Sequence, residues 1–190
     1  MVDSSLTPNE FCVLALLNEQ PRHGWALSDL LEHDGEIGAI WAIARPLVYT
    51  SLRRLESDGY IKIAGLERGS RGPHRVIYAA TPKGRSAART WLKKPVERVR
   101  DIRSLFLLKV VLSKRRGLDV EPLLVGQRAL LAPFVAFLEA RFDDVDPATE
   151  PAEEAMLYFR LEMAKTTVGF IDHLLDAQAP KSRAKSTRVA

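Results

Sequence analysis

Only one cysteine, Cys12, occurs in 190 residues. That excludes an intramolecular disulfide and any cysteine-cluster metal site, and it suits a chain built for a reducing compartment, with the cytoplasm as the expected location. Histidines are equally scarce: His23, His33, His74 and His173 are the four, and none pairs with another histidine, a cysteine or a carboxylate at metal-ligand spacing. No metal or other cofactor is expected. Long apolar runs are missing too: no window approaches the roughly 18 to 20 uninterrupted apolar residues of a membrane span, and MVDSSLTPNEF has no basic n-region ahead of an apolar stretch. A Walker loop, a dinucleotide glycine fingerprint and a nucleophile elbow are all absent, so the sequence reads as a non-enzyme. Cys12 itself sits in an apolar stretch, where a buried structural thiol is favoured over a nucleophile or redox sensor.

Acidic residues are the next scarcity, and it is local. Residues 45–94 hold three, Glu56, Asp58 and Glu67, against twelve lysines and arginines, a balance of +9, whereas residues 1–44 balance at −6 with Arg22 as their only cation. The whole chain carries +4. A basic run is often only a solvated face, but a basic run laid on a helix-and-hairpin pattern marks a polyanion-binding segment.

That pattern is present. Thr7-Pro8-Asn9-Glu10 combines a cap, a first-turn proline and an acidic residue three after the cap, predicting a buried helix to about Glu19. Gln20 to Gly24 forms a turn, in which His23 can cap or reach a phosphate. Trp25, Leu27, Leu30 and Leu31 then predict a second helix to about His33. Pro46 opens and Gly59 closes a third, with Val48, Leu52 and Leu55 as its apolar stripe. Arg45, Tyr49, Thr50, Ser51, Arg53 and Arg54 fall on flanking or opposite faces and supply hydrogen-bond donors. Two short β-type runs, Tyr60–Ile63 and Val76–Ala79, flank a glycine-rich connector bearing Arg68, Arg71, His74 and Arg75, with Lys62 on the first run. Thr81-Pro82 opens a further helix that carries Trp91. Three helices, a hairpin and a following helix are the order of a winged helix-turn-helix. The expected architecture is mainly α: a winged DNA-binding domain over residues 1–94, helices over 95–178, and a basic tail over 179–190 that either attracts DNA or only solubilises.

The motifs resemble those of the PadR family of bacterial transcriptional regulators. Leu6-Thr7-Pro8, Pro21-Arg22-His23-Gly24-Trp25, Val48-Tyr49, Leu52-Arg53-Arg54-Leu55-Glu56 through Gly59-Tyr60-Ile61, and Tyr78-x-x-Thr81-Pro82-x-Gly84-Arg85 coincide with it in order and spacing over residues 6–94. The resemblance implies a cytoplasmic homodimer on an inverted repeat of double-stranded DNA, with repression as the usual output. Arg45 departs from the small capping residue usual in that family, and Leu47-Val48 from a small polar pair, so the target sequence is not transferable.

Residues 103–177 carry no strand signal and predict three helices, roughly 101–114, 120–142 and 152–177, with Pro133 expected to kink or split the middle one. On the last, Met156, Phe159, Met163, Phe170 and Leu174 form one apolar row and Leu157, Leu161, Val168, Ile171 and Leu175 another. One face cannot bury both rows, so a homodimer interface is expected, with Phe106, Leu130 and Phe134 contributing. Some members of the family respond to aromatic small molecules, and Trp91 is the residue best placed for such an effector. The simpler alternative makes it an aromatic joint between domains. Two other functions fit less of the pattern: a winged-helix protein-interaction module, which would not need the basic wing, and a non-specific architectural DNA binder.

Overall fold

Thr7 opens the first helix. In the computed structural model, which describes residues 6–67 and 75–178, the Thr7 hydroxyl accepts the Glu10 N–H at 3.3 Å and the Glu10 carboxylate accepts the Thr7 N–H at 2.6 Å. This capping box starts α1 (Pro8–Glu19), whose residues Phe11 to Leu17 are all buried. α1 is therefore the central beam of the winged domain, with α3 and α4 packed against it. Burial and the charge of Glu19 push the Cys12 thiol well above its ordinary range, so it stays a neutral thiol inside α1.

Two residues, Arg22 and His23, form β1, a strand too short to leave a periodic signal. His23 then caps α2 (Gly24–Leu31) by accepting the Ala26 N–H on Nδ1 at 3.1 Å. α2 ends at Leu31, two residues before the expected His33, because Glu32 turns extended and the N–H groups of Ile37 and Gly38 return to the Leu30 carbonyl. α3 (Arg45–Ser57) buries Val48, Ser51, Leu52 and Leu55. Gly59, at φ +74°, closes it in the left-handed region that side-chain-bearing residues avoid.

β2 (Ile61–Glu67) and β3 (Arg75–Ala80) pair antiparallel, and β1 joins the other edge of β3 to give the order β1-β3-β2. The strands outrun the apolar runs seen in sequence because the ladder continues to the pair Glu67–Arg75. Arg68, Arg71 and His74 lie outside the described residues, as does the tail 179–190. α4 (Pro82–Lys93) follows, capped by Thr81.

The helix expected over 101–114 is not regular. A 3-10 turn (Val99–Asp101) and a wide π turn (Ile102–Phe106) precede α5 (Leu107–Arg115). Leu108 and Leu112 of α5 enter the same core as Trp91, Leu92 and the buried face of α1. Arg115 also bonds Glu19 at 2.9 and 3.2 Å and pairs with Glu36. Chain packing divides after Leu123, giving units of 1–123 and 124–190; the boundary expected from sequence lies at residue 94. The earlier boundary separates elements by proposed role, whereas packing follows the apolar face of α5.

In the second unit, α6 (Glu121–Asp143), whose first turn belongs to the preceding unit, is joined to α7 (Pro151–Asp176). Arg128–Asp172 at 2.6 Å, Lys165–Glu139 at 3.1 Å and Arg141–Glu153 tie the start of one helix to the end of the other, the pattern of an antiparallel pair. Leu138, Leu157, Leu161 and Ala164 are its core. Pro133 does not split α6: it and Ala129 face solvent, so the carbonyl that loses its partner stays hydrated. Among the described helices, α6 alone is long and apolar enough by composition to cross a membrane.

Candidate nucleic-acid interface

α3 divides its residues cleanly by face. Val48, Leu52 and Leu55 anchor it to the core, leaving Arg45, Tyr49, Thr50 and Arg53 outside. The Thr50 hydroxyl donates to the Pro46 carbonyl at 2.9 Å and accepts an N–H of Arg53 at 3.1 Å, so one of the five guanidinium N–H groups orients the side chain while the planar fork points along the outer face. Arg45 begins the helix and donates to the Glu32 carboxylate at 2.7 Å. Ala44, before it, makes no side-chain cap, consistent with the weak cap expected there, and Pro46 removes one of the orphan donors.

Two residues expected on this face make contacts within the domain. Ser51 is 4% exposed and lies on the packing side of α3. It sits one position beyond the outward pair Tyr49 and Thr50, and at 100° per residue that step turns it to the core. Arg54 is half-exposed, but its guanidinium donates to Glu10 at 3.0 Å and lies 3.8 Å from Asp58. That bond ties α3 to the capping box of α1.

On the strands of the hairpin, Lys62 and Arg75 are both exposed. Where β1, β3, α2 and α3 meet, a cavity of about 370 Å³ is lined by His23, Trp25, Tyr49, Arg75, Val76 and Tyr78. Gly24 makes this possible: a Cβ there would lie 2.7 Å from the Tyr49 ring. Trp25 is half-exposed. The Tyr78 phenol is pushed up from its ordinary pKa by burial first, then by the charges of Glu56 and Tyr49, with Arg53 opposing, and so remains an O–H donor. In the sequence Tyr78 stands only as the first residue of the motif that ends the wing, with no binding role attached. Its role depends on pairing with Arg22 across fifty-odd residues, and a two-residue strand gives no warning of that.

Trp91 is 6% exposed and stacks on Phe11 with centroids 5.1 Å apart and planes 7° from parallel. Beside it, a cavity of about 290 Å³ is bordered by Phe11, Trp91, Lys94, Leu105 and Lys109, with Glu97 and Asp101 also on its wall. Lys109 is buried, donates to the Lys94 carbonyl at 2.6 Å and lies over the Trp91 ring. Burial, then the charge of Lys94, push its pKa down to about 8, with Glu97 opposing.

The residues expected at a subunit interface separate into three groups. Leu130, Met156, Phe159, Met163 and Phe170 are exposed, Phe159 by 65%. Phe134 and Leu174 are half-buried. Phe106 is fully buried within its own chain, so it offers no surface, because the π turn rotates it inward. Leu157, Leu161 and Ile171, from the second row, are buried. Among the described residues, no group of three His, Cys, Asp or Glu side chains converges on a point where a metal could sit.

Comparison with known proteins finds one family model and several solved structures similar to this chain. Residues 13–90 match the family model of PadR-like transcriptional regulators. Bacillus subtilis PadR in complex with operator DNA is 17% identical, with 88% of this chain and 97% of that chain aligned and a TM-score of 0.44. The same protein in complex with p-coumaric acid is 17% identical over 90% and 98%, at 0.41. A PadR-like transcriptional regulator from Bacillus cereus is 21% identical over 92% and 98%, at 0.40. Comparison with curated proteins finds no match.

Proposed function

We propose that this chain, whose residues 13–90 match the PadR-like family model, is a PadR-like transcriptional regulator that binds an inverted repeat as a homodimer. α3 enters the major groove and the wing follows the backbone. The observation that carries this reading is the outer face of α3: Arg45, Tyr49, Thr50 and Arg53 are all directed away from the core, on the +9 segment of a chain whose preceding stretch is acidic. Arg53, and Arg45 once released from Glu32, have the planar fork that reads guanine. Lys62 and Arg75, with Arg68, Arg71 and His74 in the connector, are the sequence-independent phosphate contacts. Occlusion of a promoter makes the output repression, in the cytoplasm.

The exposed row on α7 and Leu130 on α6 supports dimerisation, since so many large apolar side chains on one helix pair are costly to leave in water. The cavity beside Trp91 supports a small aromatic effector, with Lys109 as the cation that would meet an acidic group. In this reading Trp91 is a wall held rigid by Phe11.

Selection of a random duplex library by the purified protein at near-physiological salt tests the reading. An enriched inverted repeat, with half-site centres separated by about one helical turn or a multiple of it, is expected. Retention without an enriched motif would favour an architectural role, and no retention a protein-interaction module.

A further inference from the structure

The cavity between α2, α3 and the wing sheet is built from three distant stretches of chain. β1 lies alongside β3 through the pairs Arg22–Tyr78 and His23–Ile77, and Tyr49 reaches the same place from α3, over Gly24. Of the six side chains lining it, five carry N–H or O–H donors and none carries a carboxylate. His23 is fixed in a useful form. Its Nδ1 accepts the Ala26 N–H, so in the neutral ring the proton sits on Nε2 and donates. Tyr78 keeps its proton, and Glu56 on α3, whose charge helps keep it there, does not line the cavity. Tyr49 stands one helical turn before Arg53 on the same face, so the cavity borders the surface proposed to read bases.

We propose that this cavity seats one backbone phosphate of each DNA half-site, held by His23, Tyr49, Tyr78 and Arg75. The proposal rests on the DNA-binding reading. A phosphate diester offers acceptors only, and its two unesterified oxygens match a wall of donors without a competing anion. Trp25 shields one side, which strengthens the hydrogen bonds by keeping water from them. Gly24 is a positioning residue, since any Cβ there pushes the Tyr49 ring out of place.

Two variants separate the seat from the fold. His23→Asn retains a capping side chain but loses the Nε2 donor, and Tyr78→Phe removes only a hydroxyl. The duplex recovered by selection is resynthesised with a single uncharged methylphosphonate at each backbone position in turn. Wild type is expected to lose about tenfold in affinity at one position per half-site, the worth of a charge-assisted hydrogen bond. Both variants should bind the unmodified duplex several-fold more weakly, keep the wild-type melting temperature and lose all sensitivity at that one position. Wild-type binding with no position that both variants erase would overturn the seat and leave DNA recognition standing. Failure of wild type to bind any duplex would overturn both. If inorganic phosphate shifts the Trp25 indole resonance in wild type but not in Tyr78→Phe, while no methylphosphonate position is erased, the seat belongs to a free anion and the DNA assignment falls.

Discussion

Arg54 and Glu10, 44 residues apart, are joined at 3.0 Å, and the Glu10 carboxylate that receives the guanidinium also holds the N–H of Thr7. One nearly buried carboxylate thus closes the start of α1 and pins α3 against it. Replacing Glu10 by Ala should cost about 1 to 2 kcal/mol, the range for a lost cap. Arg54→Ala should cost less than about 1 kcal/mol, because half of that side chain is in water. Urea denaturation of both variants and of the double variant checks the coupling. Additive costs would show that the pair does not act as a unit.

Arg53 and Lys62 should behave differently on DNA. Arg53→Ala is expected to weaken the selected duplex by about 1 to 3 kcal/mol and to relax preference at one base pair. Lys62→Ala should weaken every duplex alike and reduce the slope of log K against log salt by about one per half-site. Measuring affinity on the selected duplex and on single-base variants at several salt concentrations decides between these roles. Uniform loss from both replacements would remove Arg53 from base reading.

Phe159 and Met163 lie on the exposed row of α7, outside the core formed by Leu157 and Leu161. Phe159→Glu with Met163→Glu should therefore convert a dimer to a folded monomer, since charges are placed in the interface without touching the core. Sedimentation equilibrium gives the mass and circular dichroism the helix content. A dimer that survives the double change would move the interface elsewhere.

Lys109 makes stability depend on pH in a direction opposite to the usual lysine pair. Its folded pKa is pushed down to about 8, below the ordinary value of 10.5, so the unfolded chain holds more protons between those values. Stability contributed by this group should rise as pH rises from about 8 towards 10.5. Cys12 acts the other way above its ordinary value of 9.0, because its thiol stays protonated only in the folded chain. Lys109→Met leaves Cys12 in place, so the difference between wild type and variant isolates the lysine. The stability advantage of the variant is expected to be largest below pH 8 and to shrink above it. A difference that stays flat from pH 7 to 10 would show Lys109 to be solvated.

Helix starts and stops were legible wherever chemistry at neighbouring residues decides them. Thr7, Pro8 and Glu10 make α1 begin where it does, and Pro46 and Gly59 bracket α3, because caps and φ restrictions act within a few residues. The two rows on α7 were legible for the same reason, being a property of one helix. Which row faces inward was not: Leu157 and Leu161 are buried because α6 supplies Leu138 opposite them, a matter of partner and not of period.

The same distinction runs through the site. The sequence by itself determined the winged order, the basic segment and the outward setting of Arg45, Tyr49, Thr50 and Arg53 on α3, since these follow from local spacing and charge. Only the tertiary structure decided that Ser51 is buried, that Arg54 bonds Glu10, that Phe106 turns inward and that His23 and Tyr78 line one cavity. Each of these depends on a contact between residues far apart in the chain, where side-chain packing and a two-residue strand pairing choose the neighbour and no periodicity records the choice.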